Sequence, residues 1–464
     1  MFLVNCLFFR NFAGIRLANM CITNMSIRCN IARLIALLWG VWMAGAVYAA
    51  PYRTRAMQPG IRTLRVQYVE SQSLRRPFLV LGDDADAIDG SDPGNTLEVS
   101  FDEMSHDVRQ YSYTVRHLDK DWTPSDLSSY EYLRGFTTAD ITDYELSVNT
   151  QQAYTHYSLT FPNSDMQLLA SGNYALSIYE DGDMEKEVAC VCFSVVEPMA
   201  GIRAQVRSNT DIEFDGRYQQ LDVDVETARL EVKDPSLVTV AVRQNGRLDN
   251  QVMLNTPTFV EPNRLRYINR KSLIFEGGNE FRHFDAYSTY YAGYHVDRIR
   301  YAQGEYHAVL DVDEVRGTMA KESGREGLGY LTEYDTNGQW RINAEKTDEP
   351  DVDAEYMWVH FCLPVRHPVT SGNVYVGGGL FYDRFVVDNL MQYDADTQCY
   401  YLYAYLKQGA YDYLYYVSSD SGTPATLLPV EGSHWQTKNE YTIYVYYRPF
   451  GGRYDRLVGL QVTD

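Results

Sequence analysis

Period-two alternation dominates this chain. In Tyr111-Ser112-Tyr113-Thr114-Val115-Arg116-His117-Leu118 the odd positions make one face, and Ser112, Thr114 and Arg116 lie on the other. Successive strand side chains point to opposite sides, so such runs bury one face of a sheet and leave the other for solvent or a neighbour. Asn173-Tyr174-Ala175-Leu176-Ser177-Ile178-Tyr179 and Glu187-Val188-Ala189-Cys190-Val191-Cys192-Phe193-Ser194-Val195 read as a hairpin. Its turn is Glu180-Asp181-Gly182-Asp183, where Asp and Gly accept the required backbone conformations. The same alternation returns in Leu237-Val238-Thr239-Val240-Ala241-Val242, in Tyr356-Met357-Trp358-Val359-His360-Phe361 and in Tyr441-Thr442-Ile443-Tyr444-Val445-Tyr446. Short strands with turn signals every ten residues or so predict an all-β chain of tandem Ig-like or early-set β-sandwiches. Ser171-Gly172-Asn173-Tyr174 matches the tyrosine corner of Ig-like sandwiches.

The first 49 residues contain no Asp, Glu or Lys, and four arginines. An apolar run from Leu34 to Ala44 follows the last of them, and Val47, Tyr48 and Ala49 precede Ala50-Pro51. This predicts a signal peptide over 1–49, cleaved after Ala49, and therefore an exported chain. Met25 is a second candidate start.

Beyond it we expect three domains: an N-terminal sandwich at 56–197 ending at Glu197-Pro198, a middle β-rich region at 198–354, and a C-terminal early-set-like sandwich at 355–464. The acidic stretch 346–351 reads as the linker before the last, and 311–329 as a long loop or short helix. Cys190, Cys192, Cys362 and Cys399 are too few for a disulfide scaffold and are expected as free thiols, although export permits a Cys362–Cys399 bond.

With 62 acidic against 41 basic side chains the formal net charge is −21, and loss of the arginine-bearing leader makes it more negative. Such a surface repels phosphate backbones and anionic lipid, which argues against nucleic acid and peripheral membrane binding, and no direct membrane insertion is expected. No G-x-S-x-G, H-E-x-x-H, P-loop or C-x-x-C motif is present, so no catalytic residue, metal or cofactor is expected. His117, Asp119 and Asp121 are the tightest group of possible metal ligands, but a strand entering a solvated loop has the same pattern. In the acidic run Asp83-Asp84-Ala85-Asp86-Ala87-Ile88-Asp89-Gly90, Ile88 occupies a ligand position of a calcium loop. The most unusual feature is Tyr400-Tyr401-Leu402-Tyr403-Ala404-Tyr405, followed by Tyr411, Tyr413, Tyr415 and Tyr416. Alternation puts Tyr401, Tyr403 and Tyr405 on one face, either as a partner-binding platform or as a cross-strand ladder supporting the sheet.

Several stretches, in order along nearly the whole chain beyond the leader, are similar to the signatures of one family. They are His117-Leu118-Asp119-Lys120-Asp121-Trp122-Thr123-Pro124, Tyr130-Glu131-Tyr132-Leu133-Arg134-Gly135-Phe136 and Tyr154-Thr155-His156-Tyr157. The middle adds Gln244-Asn245-Gly246-Arg247 and Gly278-Asn279-Glu280-Phe281-Arg282-His283-Phe284. The end adds Leu406-Lys407-Gln408-Gly409, Glu431-Gly432-Ser433-His434, Tyr446-Tyr447-Arg448 and Arg453-Tyr454-Asp455-Arg456-Leu457-Val458-Gly459. The chain resembles the plug protein family of the type IX secretion system, once a domain of unknown function. The resemblance implies a non-catalytic periplasmic protein, associated with the outer membrane. Its partner would be the translocon β-barrel, whose periplasmic opening it would occlude at rest.

A second resemblance is to early-set sandwich modules that bind glucans, through Val374-Tyr375-Val376-Gly377-Gly378-Gly379-Leu380-Phe381. Phe381-Tyr382-Asp383-Arg384-Phe385 lacks the Asn and Trp usual there, so carbohydrate binding stands as the alternative function.

Overall fold

The computed structural model describes residues 50–463 except 70–73, 75, 82–94, 212–214, 323–328, 333, 346 and 420–422. The expected signal peptide and the 83–90 acidic loop lie outside the described residues.

Among the described residues, strands between Arg55 and Val196 pair only among themselves. Tyr111–Leu118, Gly172–Glu180 and Glu187–Val196 form the centre of one antiparallel sheet, with Phe78–Val80 added in parallel to the last. Ile61–Tyr68, Leu97–Glu103, Thr155–Phe161 and Asp143–Leu146 form the facing sheet. Alternate residues from both sides meet in the core, where Phe101 stacks on Tyr157 at 5.2 Å and Tyr174 on Phe193 at 5.7 Å. Each such side chain, fully buried, contributes about 1.5–3 kcal/mol. The hairpin predicted at 173–195 forms, with a register shift between Ile178 and Tyr179, and the Tyr174 hydroxyl donates to the Ala170 carbonyl at 2.7 Å, which is a tyrosine corner.

The rest of the chain makes two further sandwiches by a route that crosses the 354/355 boundary. One layer of the second is Gly201–Arg207, Tyr218–Glu226, Arg264–Tyr267 and Phe259–Glu261, with Ile274–Glu276 also on Tyr218–Glu226. Its facing layer runs Val252–Leu254, Val238–Gln244, Tyr441–Tyr447, Arg456–Thr463. The last two strands therefore return to the middle of the molecule, where Ile443 and Val445 pack with Val223, Val240 and Val242.

Everything between, from Arg282 to Ser418, is a third sandwich inserted into the second. Gly409–Ser418 pairs with Arg282–Ala286, Trp340–Ile342 and Asn373–Gly377. The facing sheet runs Val296–Ala302, Glu305–Leu310, Tyr356–Pro364, Cys399–Lys407, Gln392–Asp394. The expected boundary thus falls within this sandwich, since strands on both sides of it share one core. Alternation shows where a strand lies but not which distant strand it joins, and so the insertion is invisible in the sequence.

The presumed linker is tied down as well: Asp351 pairs with Arg65 at 2.8 Å and Val148 donates to the Val352 carbonyl at 3.0 Å. Within 311–329 the described part carries a single helical turn, Met319–Glu322. Cys190, Cys192, Cys362 and Cys399 are all free thiols. No helix among the described residues is long and apolar enough to cross a membrane.

Candidate partner-binding face

The inner positions of Tyr356–Pro364 and Cys399–Lys407, among them Met357, Val359, Phe361, Leu402 and Ala404, fill the core of the inserted sandwich. The alternate positions make the outer face. Across the strands Trp358 stands opposite Tyr405, His360 opposite Tyr403 and Cys362 opposite Tyr401. His307 and Val309 extend the first two rows, and Arg300 and Arg298 end them on the edge strand. Tyr401, Tyr403 and Tyr405 thus share a face, but unequally. Tyr403 is 55% exposed and meets His360 edge-on at 4.6 Å. Tyr405 is half-buried against Trp358 at 4.9 Å and Tyr356 at 5.4 Å, and its hydroxyl donates to Gln152 Oε1 at 3.3 Å. Tyr401 is half-buried, whereas Tyr411, Tyr413, Tyr415 and Tyr416 are all buried.

His307 Nδ1 and His360 Nε2 share a hydrogen bond of 2.9 Å. Burial, then the charges of His307, Arg300 and Arg298, push the His360 imidazole down to about 4, so it is neutral at pH 7. The result is an aromatic stripe bordered by arginines, suited to burying apolar area and donating to carboxylates at its rim. Trp358, His360, His307, Arg298 and Arg300 were not among the residues singled out from sequence. Their alternation was visible, but their placement beside the tyrosines depends on pairing between distant strands.

Exposure separates the tyrosines energetically. Tyr405→Ala is expected to lower stability in urea by about 1–2 kcal/mol through lost ring packing. Tyr403→Ala should change it by less than about 0.5 kcal/mol. Equal costs would make the stripe a supporting ladder throughout.

His117 is buried, with Nδ1 2.8 Å from Ser125 Oγ and Nε2 3.1 Å from the Ser171 carbonyl, and burial pushes it down to about 4. Asp119 turns instead to Arg448 at 2.7 Å, and Asp121 accepts from Thr123 at 2.6 Å. Among the described residues no three His, Cys, Asp or Glu side chains are grouped to hold a metal.

The signature stretches converge on the seams between sandwiches. Lys407 Nζ is fully buried between the N-terminal and inserted sandwiches, 2.7 Å from Asp102 Oδ2, 2.6 Å from the Asp351 carbonyl and 4.1 Å above the Tyr154 ring. Asp102 also holds His156 Nδ1 at 2.6 Å and accepts from the Tyr356 hydroxyl at 2.6 Å. At the seam with the second sandwich, Asp455 receives Lys120 at 3.0 Å and Arg448 at 2.9 Å. Arg76 ties all three together, through Glu440 at 2.9 Å, Asp383 at 3.1 Å and the Asn245 carbonyl at 2.7 Å. The adjoining Gly246 has φ +71°, and a Cβ there would lie 1.9 Å from Arg76 Nε, so both the turn and the contact require glycine. Inside the inserted sandwich Arg282 bridges Asp313 at 2.6 Å and Glu431 at 3.0 Å, and the Tyr413 and Tyr415 hydroxyls donate to Asp313 at 2.8 and 2.6 Å.

A family model described as "Type 9 secretion system plug protein 1st domain" matches residues 61–197, which is the N-terminal sandwich almost from end to end. A crystal structure of a hypothetical protein from Parabacteroides merdae ATCC 43184 is 33% identical, covering 89% of this chain and 99% of its own, with a TM-score of 0.82. The chain belongs to the type IX secretion system plug protein family. No curated protein sequence matches it. Membership in the plug family gives the chain a role in type IX secretion. Of the seam residues described above, Lys120, Tyr154, His156, Asn245, Gly246, Lys407, Arg448 and Asp455 lie in the stretches by which the chain resembles that family, whereas Arg76, Asp102, Asp383 and Glu440 lie outside them.

Proposed function

We propose that this protein is a non-catalytic periplasmic plug. It binds the outer-membrane translocon β-barrel and occludes the barrel's periplasmic opening at rest. The observation that carries this reading, beside the family, is the bracing of three sandwiches through buried charged seams. A body that blocks a pore by its bulk must resist shear between its parts. Side chains such as Lys407 and Arg76 resist it, because any sliding leaves a charge buried without its partner. The exposed stripe around Tyr403 is the contact we assign to the barrel, with Tyr401 and Tyr405 at its margins. Stable occupancy needs an interface above about 1,000 Å².

The glucan-binding alternative draws no support from 381–385, where such modules carry their aromatic group. Tyr382 packs on the N-terminal core, Asp383 pairs with Arg76, and Phe385 rests on Tyr416 at 5.2 Å.

The test is an affinity pull-down with the tagged protein from detergent-solubilised outer membranes, read by mass spectrometry. One very large β-barrel at near-stoichiometric yield is expected, with Tyr403→Ala reducing recovery about tenfold or more. Retention on glucan resin without any membrane protein would replace this function with the alternative. Full recovery with Tyr403→Ala would move the contact elsewhere on the surface.

A further inference from the structure

Where the three sandwiches meet there is a cavity of about 220 Å³. Trp122, Phe78, Tyr444, Trp340 and Tyr382 supply much of its wall. Five arginines line it, Arg53, Arg65, Arg76, Arg243 and Arg384, against the single carboxylate of Asp383. Two of the five are already neutralised. Arg65 has Asp351 at 2.8 Å and Glu98 at 3.7 Å, and Arg76 has Asp383 and Glu440.

The other three make no ion pair among the described residues. Arg243 is buried, lies 5.1 Å from the Trp122 ring and 4.9 Å from that of Tyr444, and gives its Nε to the neutral Gln251 Oε1 at 2.6 Å. Arg53 reaches only the Tyr52 carbonyl, at 3.0 Å. Arg53 has its pKa lowered by burial and by the charges of Arg243 and Arg384, which places it within the field of both. Arg384 is lowered by burial and by Arg55, with the Asp388 carboxylate, which forms no ion pair with it, partly opposing this.

This chain has acidic side chains in excess, and elsewhere at the seams its arginines sit against carboxylates. Three unpaired guanidiniums around one apolar cavity repel each other, and the repulsion is greater there than in water. Fork-shaped donors beside aromatic walls are complementary to a carboxylate or phosphate group carried on a flat apolar body. We propose that this cavity is a binding site for a small organic anion, whose charged group is held by Arg53, Arg243 and Arg384 and whose body lies against the aromatic wall. The site is separate from the stripe around Tyr403, and its failure would leave the plug reading standing.

Isothermal titration of the purified protein with phenyl phosphate, and separately with phenylacetate, tests it. These probes share a ring and differ in the headgroup. Saturable one-to-one heat is expected with at least one, and the preferred probe tells phosphate from carboxylate. Arg53→Gln and Arg384→Gln should each weaken that binding about tenfold or more. Without anion, the double variant should melt no lower than the parent, because removing unpaired like charges relieves repulsion. Absence of saturable heat with both probes overturns the proposal. So does a lower melting temperature together with unchanged heats, which would make these arginines internal bracing.

Discussion

Replacing Lys407 by methionine is expected to cost about 3–5 kcal/mol of stability, measured as the shift in a urea unfolding curve. The side chain is fully buried, and so is its partner Asp102. Methionine fills similar space but leaves the carboxylate with His156 and the Tyr356 hydroxyl alone. The double variant Asp102→Asn with Lys407→Met should recover part of the loss, because no ion is then stranded. If the double change costs as much as the sum of the single ones, the pair is not the reason Lys407 matters. Burial pushes the Asp102 carboxyl up, but the Lys407 ammonium and His156 more than offset this, so its pKa lies below the usual carboxylate range. A depressed pKa means that the carboxylate's contribution is present above about pH 4 and is lost as pH falls further. The seam between the N-terminal and inserted sandwiches should therefore weaken in strong acid.

Arg282→Met is expected to do still more harm, at least about 4 kcal/mol, because it strands two buried carboxylates at once. Glu431 and Asp313 would keep Arg316, at 3.9 Å from Glu431, and two tyrosine hydroxyls. In the parent, burial raises Asp313, but Arg282 and His295 more than reverse this and hold it well below the carboxylate range. Asp313 thus stabilises the fold at all pH above about 4 and ceases to do so in strong acid. Without Arg282 the Asp313 carboxyl rises in pKa, and protonating it relieves the repulsion. The deficit of the variant should accordingly be greatest at pH 7 and shrink towards pH 4, as urea midpoints across that range will show. A deficit independent of pH would assign the loss to packing.

The sequence carried the local half of this structure. Alternation located the strands, Asp181-Gly182 marked a hairpin turn, and Tyr174 announced its corner. Pairing was not legible. Tyr441–Tyr447 shows the same pattern as Tyr356–Pro364, yet one belongs to the second sandwich and the other to the third. For the same reason Tyr401, Tyr403 and Tyr405 were visible as a set, while Trp358 and His360 beside them were not. Lys407 and Arg76 gave no sign of burial either. A lysine next to Gln408-Gly409 reads as solvated until its carboxylate, from another sandwich, is in view. The signature stretches pointed to the family, and only the structure places them at the seams.

The insertion has a consequence for biogenesis. Glu440 donates its backbone N–H to Asn245, 195 residues earlier, and the last two strands complete a sandwich begun before the whole third one was made. A chain that emerges from its N-terminus can fold the first sandwich early but must hold the second open until its final residues arrive. During that interval the edge of Val238–Gln244 on the side taken by Tyr441–Tyr447 is unpaired, a template for wrong partners. A chain shortened by its last twenty or so residues would lose far more than a tail. Its middle sandwich could not close, and the Arg448 and Asp455 seam would be missing.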